Sequence, residues 1–405
     1  MIWPYAVQLH SSNSAARWNF GAGRCDLVAH FDAATCGGTI GDASGGVQIR
    51  SDDPFELINW MADHPRDGCR WIGFISYGLG RFIERLPANS IDDLQIPLLV
   101  FGRFERDLTP TPDQRPSGPL NAPAARIDRS ISSASYRQRV KRVLEYIAAG
   151  DIFQANFSQR FCVKTSMSPS MVWQRLIARS ASAFGALLDF GAFSILSNSP
   201  ELFFRVDRQS DGVRRIVNRP IKGTRPRGPG MKTQLESSPK DKAELAMIVD
   251  LQRNDMGRVC EIGSVRVLNA REIEVHPTLF HGVATIEGLL REDATLSDIL
   301  RAMFPCGSVT GCPKIRAMEI IDELEPVERG PYCGAIGYID PDGTIEFNVA
   351  IRTMTMKGGF AYIPVGGGIV ADSAPTAEYD ETLVKAAAML DALGIDVAKI
   401  DSTTF

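Results

Sequence analysis

The 405 residues include 44 Lys+Arg and 48 Asp+Glu, a formal net charge of −4, with 44% hydrophobic and 23% charged residues. This is the composition of an ordinary globular chain, long enough for two or three average domains or for one large α/β or α+β unit. The acidic balance argues against nucleic acid as the main partner, and the most apolar run, residues 180–196, is interrupted by Asp189 and falls short of a membrane span.

Residues 1–13 lack a basic stretch followed by an apolar block, so no secretory signal is read. The eight cysteines form no C-x-x-C pair, and their spread suggests reduced thiols in a cytoplasmic protein. Residues 71–78 read as a strand running into a turn. Residues 109–125 are rich in proline and polar residues and read as a connector closing a divergent N-terminal lobe, 1–125. The remainder, 126–405, is expected to be the catalytic region. It opens on an amphipathic helix carrying Tyr136, Val140, Val143, Leu144 and Ile147, with Ser133 or Ser135 as its cap and Gly150 as its stop.

Strand-rich segments follow at 153–163, 193–206 and 213–221. A helix is predicted from Ser238-Pro239, with Asp241 placed for a capping box, through Glu244, Met247, Ile248 and Leu251. Another starts near Pro313. Strands return at 334–339, 344–354 and 360–365, and a last helix runs from 375 to 393. Strands grouped between helices predict an α+β class, a large single unit of antiparallel sheets packed together with helices on the outside.

Several groups could carry chemistry. In Arg219-Pro220-Ile221-Lys222-Gly223-Thr224, Gly223, Pro220 and Pro226 predict a tight, stiff loop. Arg219, Arg225 and Arg227 surround the Lys222 amine with positive charge, which disfavours protonation and frees the amine for attack. The same loop also suits a solvated turn or an anion site. Glu244 sits on one predicted helix. Glu378 and Glu381 share a face of another, with Lys385 one turn on; carboxylates from two helices suit a hard cation such as Mg²⁺, or else a solvated face with a Glu381–Lys385 pair. Gly366, Gly367 and Gly368 could bring backbone N–H groups to an anion. Arg352, within an alternating strand, either faces solvent or grips a carboxylate. His281, in an apolar segment, reads by itself as a structural histidine.

Taken in order, residues 147–156, Ser199-Pro200-Glu201, residues 220–224, 247–251 with Arg253-Asn254-Asp255, residues 304–314, 334–338 and 368–373 resemble the chorismate-utilising enzymes. The resemblance is strong over about 130–392 and faint upstream. Members that make anthranilate carry alanine in the Pro-Ile-x-Gly-Thr element, whereas aminodeoxychorismate synthase component I carries lysine, so Lys222 makes the chain resemble that branch. The alternative is anthranilate synthase component I or another chorismate-converting enzyme.

The resemblance implies roles. Mg²⁺ held by Glu244 and Glu381, with Glu378 close by, would bind the ring carboxylate of chorismate. Arg352 and Tyr338 would grip the enolpyruvyl carboxylate, and Gly366–Gly368, Thr224 and Lys385 would complete the cradle. Lys222 would attack the ring, Glu201 would act as acid and base, and His281 would be an active-site histidine. Ammonia would then displace the lysine to give 4-amino-4-deoxychorismate, the route to p-aminobenzoate and folate. No Gly-x-Cys-x-Gly nucleophile element is present, so the ammonia is expected from a separate glutamine amidotransferase subunit.

Overall fold

The computed structural model describes residues 4, 6–12, 18, 20–106, 127–180, 182–276, 279–397 and 400. The proline-rich connector expected at 109–125 lies outside these residues. Two large antiparallel sheets dominate. The first runs Ala6–His10, Phe184–Asp189, Ser194–Ser199, Thr353–Lys357, Phe360–Ile369 and Gln154–Lys164. The short strands Ile127–Arg129 and Gly311–Cys312 line its far edge. The second runs Val47–Ser51, Gly37–Gly41, Phe20–Asp32, Leu99–Arg106, Cys69–Ile75, Ala335–Ile339, Ile345–Val349, Leu202–Arg208, Arg214–Arg219 and Leu279–Leu289. Arg266–Val275 closes its edge, and Ile221–Pro226 continues along Leu279–Leu289 where Arg214–Arg219 leaves off.

Both sheets contain strands from either side of residue 126. Cys69–Ile75 is hydrogen-bonded to Ala335–Ile339 through five residue pairs, and Ala6–His10 to Phe184–Asp189 through five more.

A helix-free core lies between the sheets, built from Val7, Leu9, Val28, Ile72, Phe74, Ala186, Leu188, Ile195, Ile336 and neighbours. The helices cover the other faces. Pro169–Ser180 and Pro375–Ala392 bury Val172, Trp173, Leu176, Met389 and Leu390 against the first sheet. Ser133–Ala148 and Lys314–Leu324 meet it through Tyr136, Val140, Ala317 and Ile320. Pro54–Asp63, Pro239–Gly257 and Leu296–Met303 pack on the second sheet. This is the expected α+β architecture. Strands such as Ser194–Ser199 are buried on both faces, which explains why they show no clean alternation in sequence.

Helix starts follow local chemistry. The Ser132 hydroxyl, and not the expected Ser133 or Ser135, caps the helix, accepting from Ser135 N at 3.1 Å. The Ser238 hydroxyl accepts from Asp241 N at 3.2 Å and Pro239 takes the first turn. The Asp241 carboxylate turns instead to Arg225, at 3.0 Å, so only half of the expected capping box is present.

Candidate active site

Lys222 lies on a strand, not in the loop that its flanking prolines and glycine predict. Ile221 pairs with Val283 and Thr224 with His281, so three steps on the lysine strand match two on its partner. The extra residue is a β-bulge, which bends the strand and re-aims a side chain. Gly223 makes it feasible: its φ is +83°, in the left-handed region that glycine alone enters freely, and a Cβ there would sit 2.7 Å from Leu235 Cδ1.

The Lys222 amine is held below its ordinary pKa, but not by the arginines. Burial is the leading cause; Glu244 and Glu201 pull the other way, and Lys385 adds to the lowering. Each arginine is engaged elsewhere: Arg219 pairs with Glu274, Arg225 with Asp241 at 3.0 Å, and Arg227 lies over the Phe280 ring at 5.9 Å. The residue as a whole is half-buried.

Glu201 is one of the charges acting on that amine. It is 3% exposed, and burial pushes its carboxyl up to about 7. Hydrogen bonds from the Ser308 hydroxyl and the Ile221 amide, together with the Lys222 and Arg352 charges, oppose the rise. Oε1 has no hydrogen-bond partner among the described residues. A buried carboxyl titrating near neutrality suits both donation and acceptance of a proton.

Arg352 precedes the strand Thr353–Lys357 and has a φ of +50°, an uncommon conformation for a residue with a Cβ, held by the Asn198 N–H on its carbonyl at 3.0 Å. Burial lowers its guanidinium pKa and Glu201 restores part of it. Arg352 in turn helps to depress His281, whose pKa is pushed down to about 3, first by burial. His281 is therefore a neutral imidazole, with Nδ1 2.8 Å from Thr224 Oγ1. Neutral imidazole has one N–H, so when the hydroxyl donates to Nδ1, Nε2 is the donor.

The glycine triplet sits inside the strand Phe360–Ile369, paired on one edge with Gln154–Lys164. On its other edge the ladder to Thr353–Lys357 ends at Thr355↔Tyr362. From Ile363 onward that edge has no strand partner among the described residues, leaving backbone groups for a ligand. Gly367 also faces the helix Pro375–Ala392. A Cβ on it would lie 3.3 Å from Glu378 Oε2, 3.6 Å from Glu381 Oε1 and 3.6 Å from Lys385 Nζ. Lys385 Nζ bonds Glu381 Oε1 at 2.7 Å and donates to the Gly366 carbonyl at 2.9 Å. The Glu378 carboxyl accepts from Ser373 Oγ at 2.6 Å and is raised by burial, as is Glu244. Burial would raise Glu381 too, but Lys385, Lys240 and Lys222 outweigh it and hold it low.

The chain matches a known family. The chorismate binding enzyme family covers residues 47–391. The chain belongs to the chorismate-binding enzymes. The match begins upstream of 130, where the motifs alone show little. Anthranilate synthase component 1 of Thermus thermophilus is 38% identical over 80% of this chain and 77% of its own length. Aminodeoxychorismate synthase component 1 of Escherichia coli is 36% identical over 94% and 92%. Among solved structures, anthranilate synthase component I from Streptococcus pneumoniae superposes with a TM-score of 0.79 at 28% identity, covering 94% of each chain.

In this chorismate-binding enzyme, Lys222, Glu201, Glu244, Glu381, Lys385 and Arg352 are electrostatic neighbours, and Arg352 connects them to His281 and Thr224. Tyr338 is not brought to them. It is 1% exposed in the core between the sheets, 5.8 Å from the Trp18 ring and under the Arg70 guanidinium at 5.0 Å. Ile336 and Tyr338 share that face by strand alternation, so the expected carboxylate grip is not carried further.

The sequence reading missed Ser308 and the Ile221 N–H on Glu201, and Lys240 beside the acidic cluster. It also missed Gln154, fully buried beside Gly368, whose amide oxygen and nitrogen both lack partners among the described residues. A glutamine within a β-rich run carries no signal of this kind by itself.

Proposed function

We propose that the chain converts chorismate and ammonia to 4-amino-4-deoxychorismate through a covalent adduct on Lys222. The observation that supports this reading is the half-buried Lys222, its amine pKa lowered by burial and the Glu201 charge acting on it. The Nζ lone pair forms a bond to ring C2, both ring double bonds shift (C1=C2 to C1=C6, C5=C6 to C4=C5), and the C4–O bond breaks with Glu201 donating the proton that lets water leave. Ammonia then bonds C4, both double bonds shift back, and the amine departs from C2 while Glu201 takes a proton from the incoming nitrogen. One difficult substitution becomes two easier ones. Arg352, His281 and the free edge at Gly366–Gly368 hold substrate carboxylates.

The acidic cluster suits Mg²⁺. Its donors are hard oxygens, and Glu378 and Glu381 converge on Gly367, where a Cβ would fill the space. Among the described residues no three acidic, histidine or cysteine side chains form a ready-made cage. That accords with an ion held by one or two carboxylates plus water and substrate. Glu244 and Glu381 would hold it, with Glu378 beside them, and bound Mg²⁺ would neutralise the ring carboxylate. Chelation is expected to abolish turnover and Mg²⁺, rather than Zn²⁺, to restore it. Gly367→Ala is expected to raise the chorismate KM and the Mg²⁺ half-saturation about 10-fold or more by displacing the carboxylates, with little change in melting temperature.

In this reading the ammonia comes from a separate glutamine amidotransferase subunit; the 405 residues carry no Gly-x-Cys-x-Gly nucleophile element for glutamine. Ammonium alone should support turnover of the purified chain and glutamine alone should not. Anthranilate synthase relatives of similar identity favour a second reading, anthranilate formation. Mass detection of the product decides: a retained enolpyruvyl ether and a 4-amino group support the proposal, whereas released pyruvate defeats it. No described helix is long and apolar enough to cross a membrane.

A further inference from the structure

Behind Glu201 lies a row of buried polar side chains that the chemistry above does not use. Gln252, on the helix Pro239–Gly257, has no exposed surface, and its Nε2 donates to Cys306 Sγ at 3.1 Å. Cys306 Sγ lies 3.3 Å from Ser308 Oγ. The Ser308 hydroxyl reaches the Glu201 carboxyl. Cys306 is 1% exposed and Ser308 6%. The Thr310 hydroxyl braces the turn by donating to the Cys306 carbonyl at 3.3 Å.

The protons fit one direction. With Gln252 donating into the sulfur and an ionised Glu201 able only to accept, the serine proton goes to Glu201 and the thiol's single proton is left for Ser308 Oγ. We propose that Gln252 and Cys306 are positioning residues, forming a one-way hydrogen-bond chain that fixes the Ser308 hydroxyl as a donor to Glu201. Burial, reinforced by Glu201, pushes the Cys306 thiol up to about 12, so the proton the chain needs stays in place. Thiolate chemistry is excluded for the same reason. The charged and titratable groups facing Glu201 are Lys222 and Arg352, with Cys306 behind it; Lys314 and Glu201 face Cys306. Apart from Glu201→Gln, used only to assign the infrared band, the variants below retain all of these groups except Cys306.

This inference rests on Glu201 being the proton-transfer group of the proposed reaction. A hydroxyl fixed as donor favours the carboxylate, so breaking the chain raises the pH at which Glu201 loses its proton. The test titrates Glu201 directly by infrared difference spectroscopy, its band assigned by its loss in Glu201→Gln, alongside the pH profile of chorismate consumption. Gln252→Met, close in size but without the donor, and Cys306→Ala should each move the Glu201 midpoint up by about half a pH unit or more, and move the matching limb of the pH profile with it. Cys306→Ser, which keeps a donor, should return both to the wild-type position and also serves where Cys306→Ala does not fold. An unmoved midpoint in folded Gln252→Met overturns the proposal, as does a shift in Cys306→Ser equal to that of Cys306→Ala. Failure of the wild-type chain to consume chorismate would sink the proposed function instead, while the infrared titration still decides the hydrogen-bond chain.

Discussion

Lys222→Ala is expected to lower ammonium-dependent turnover by about 10²-fold or more while chorismate still binds. The amine is the group that would bond to ring C2; it sits at the strand bulge with Gly223, and Glu244 and Glu201 are the leading charges acting on it. Removing it leaves the carboxylate contacts of Arg352, Lys385 and the glycine edge in place, so kcat should fall much more than KM rises. Rapid-quench mass spectrometry of the wild-type chain should show an adduct on the peptide containing Lys222, and the alanine variant should show none. Unchanged turnover in the variant would remove the covalent step from the mechanism. Lys222→Arg should fare little better, because guanidinium keeps its proton at working pH and cannot serve as nucleophile.

Glu201→Gln is expected to cost about 10² to 10⁴-fold in turnover, the range for loss of a positioned proton-transfer group, and to abolish the limb of the pH profile near 7. The same substitution makes a stability prediction of opposite sign. Below the ordinary value of 4.5 both folded and unfolded chains hold the Glu201 proton, and above about 7 neither does. Between them only the folded chain holds it, so the wild-type protein loses stability as pH rises through this window, on the order of 3 kcal/mol in all. Glutamine has no charge to bury. Denaturant melts at pH 4 and pH 8 should show Glu201→Gln gaining on the wild type at the higher pH. A stability difference that stays constant between those pH values would mean that the carboxyl titrates normally.

Elements with a local signature were legible in the sequence. The helices 133–148, 239–257 and 375–392 stand where hydrophobic spacing, capping serine and N-terminal proline place them. The acidic pair Glu378 and Glu381 shares a helix face as spacing alone requires. What was not legible depended on partners far along the chain. Pro220 and Gly223 read locally as a turn, but Leu279–Leu289 supplies a hydrogen-bonding edge that turns them into a bulged strand. The arginines around Lys222 are close in sequence, yet each finds an acid or ring brought from elsewhere, so burial lowers the lysine instead. Tyr338 failed for a related reason: alternation shows that it shares a face with Ile336, but not that this face meets the other sheet. Glu201 and Ser308 are more than a hundred residues apart, and only the fold joins them.

Because Cys69–Ile75 is stitched to Ala335–Ile339, the upstream third of the chain behaves as a structural graft rather than a detachable module. Cutting it away would strip a neighbour from the middle of a sheet and bare a hydrophobic, sticky strand flank. Chimeras that exchange this portion between relatives must therefore transplant a matched seam, with side chains that interlock across it.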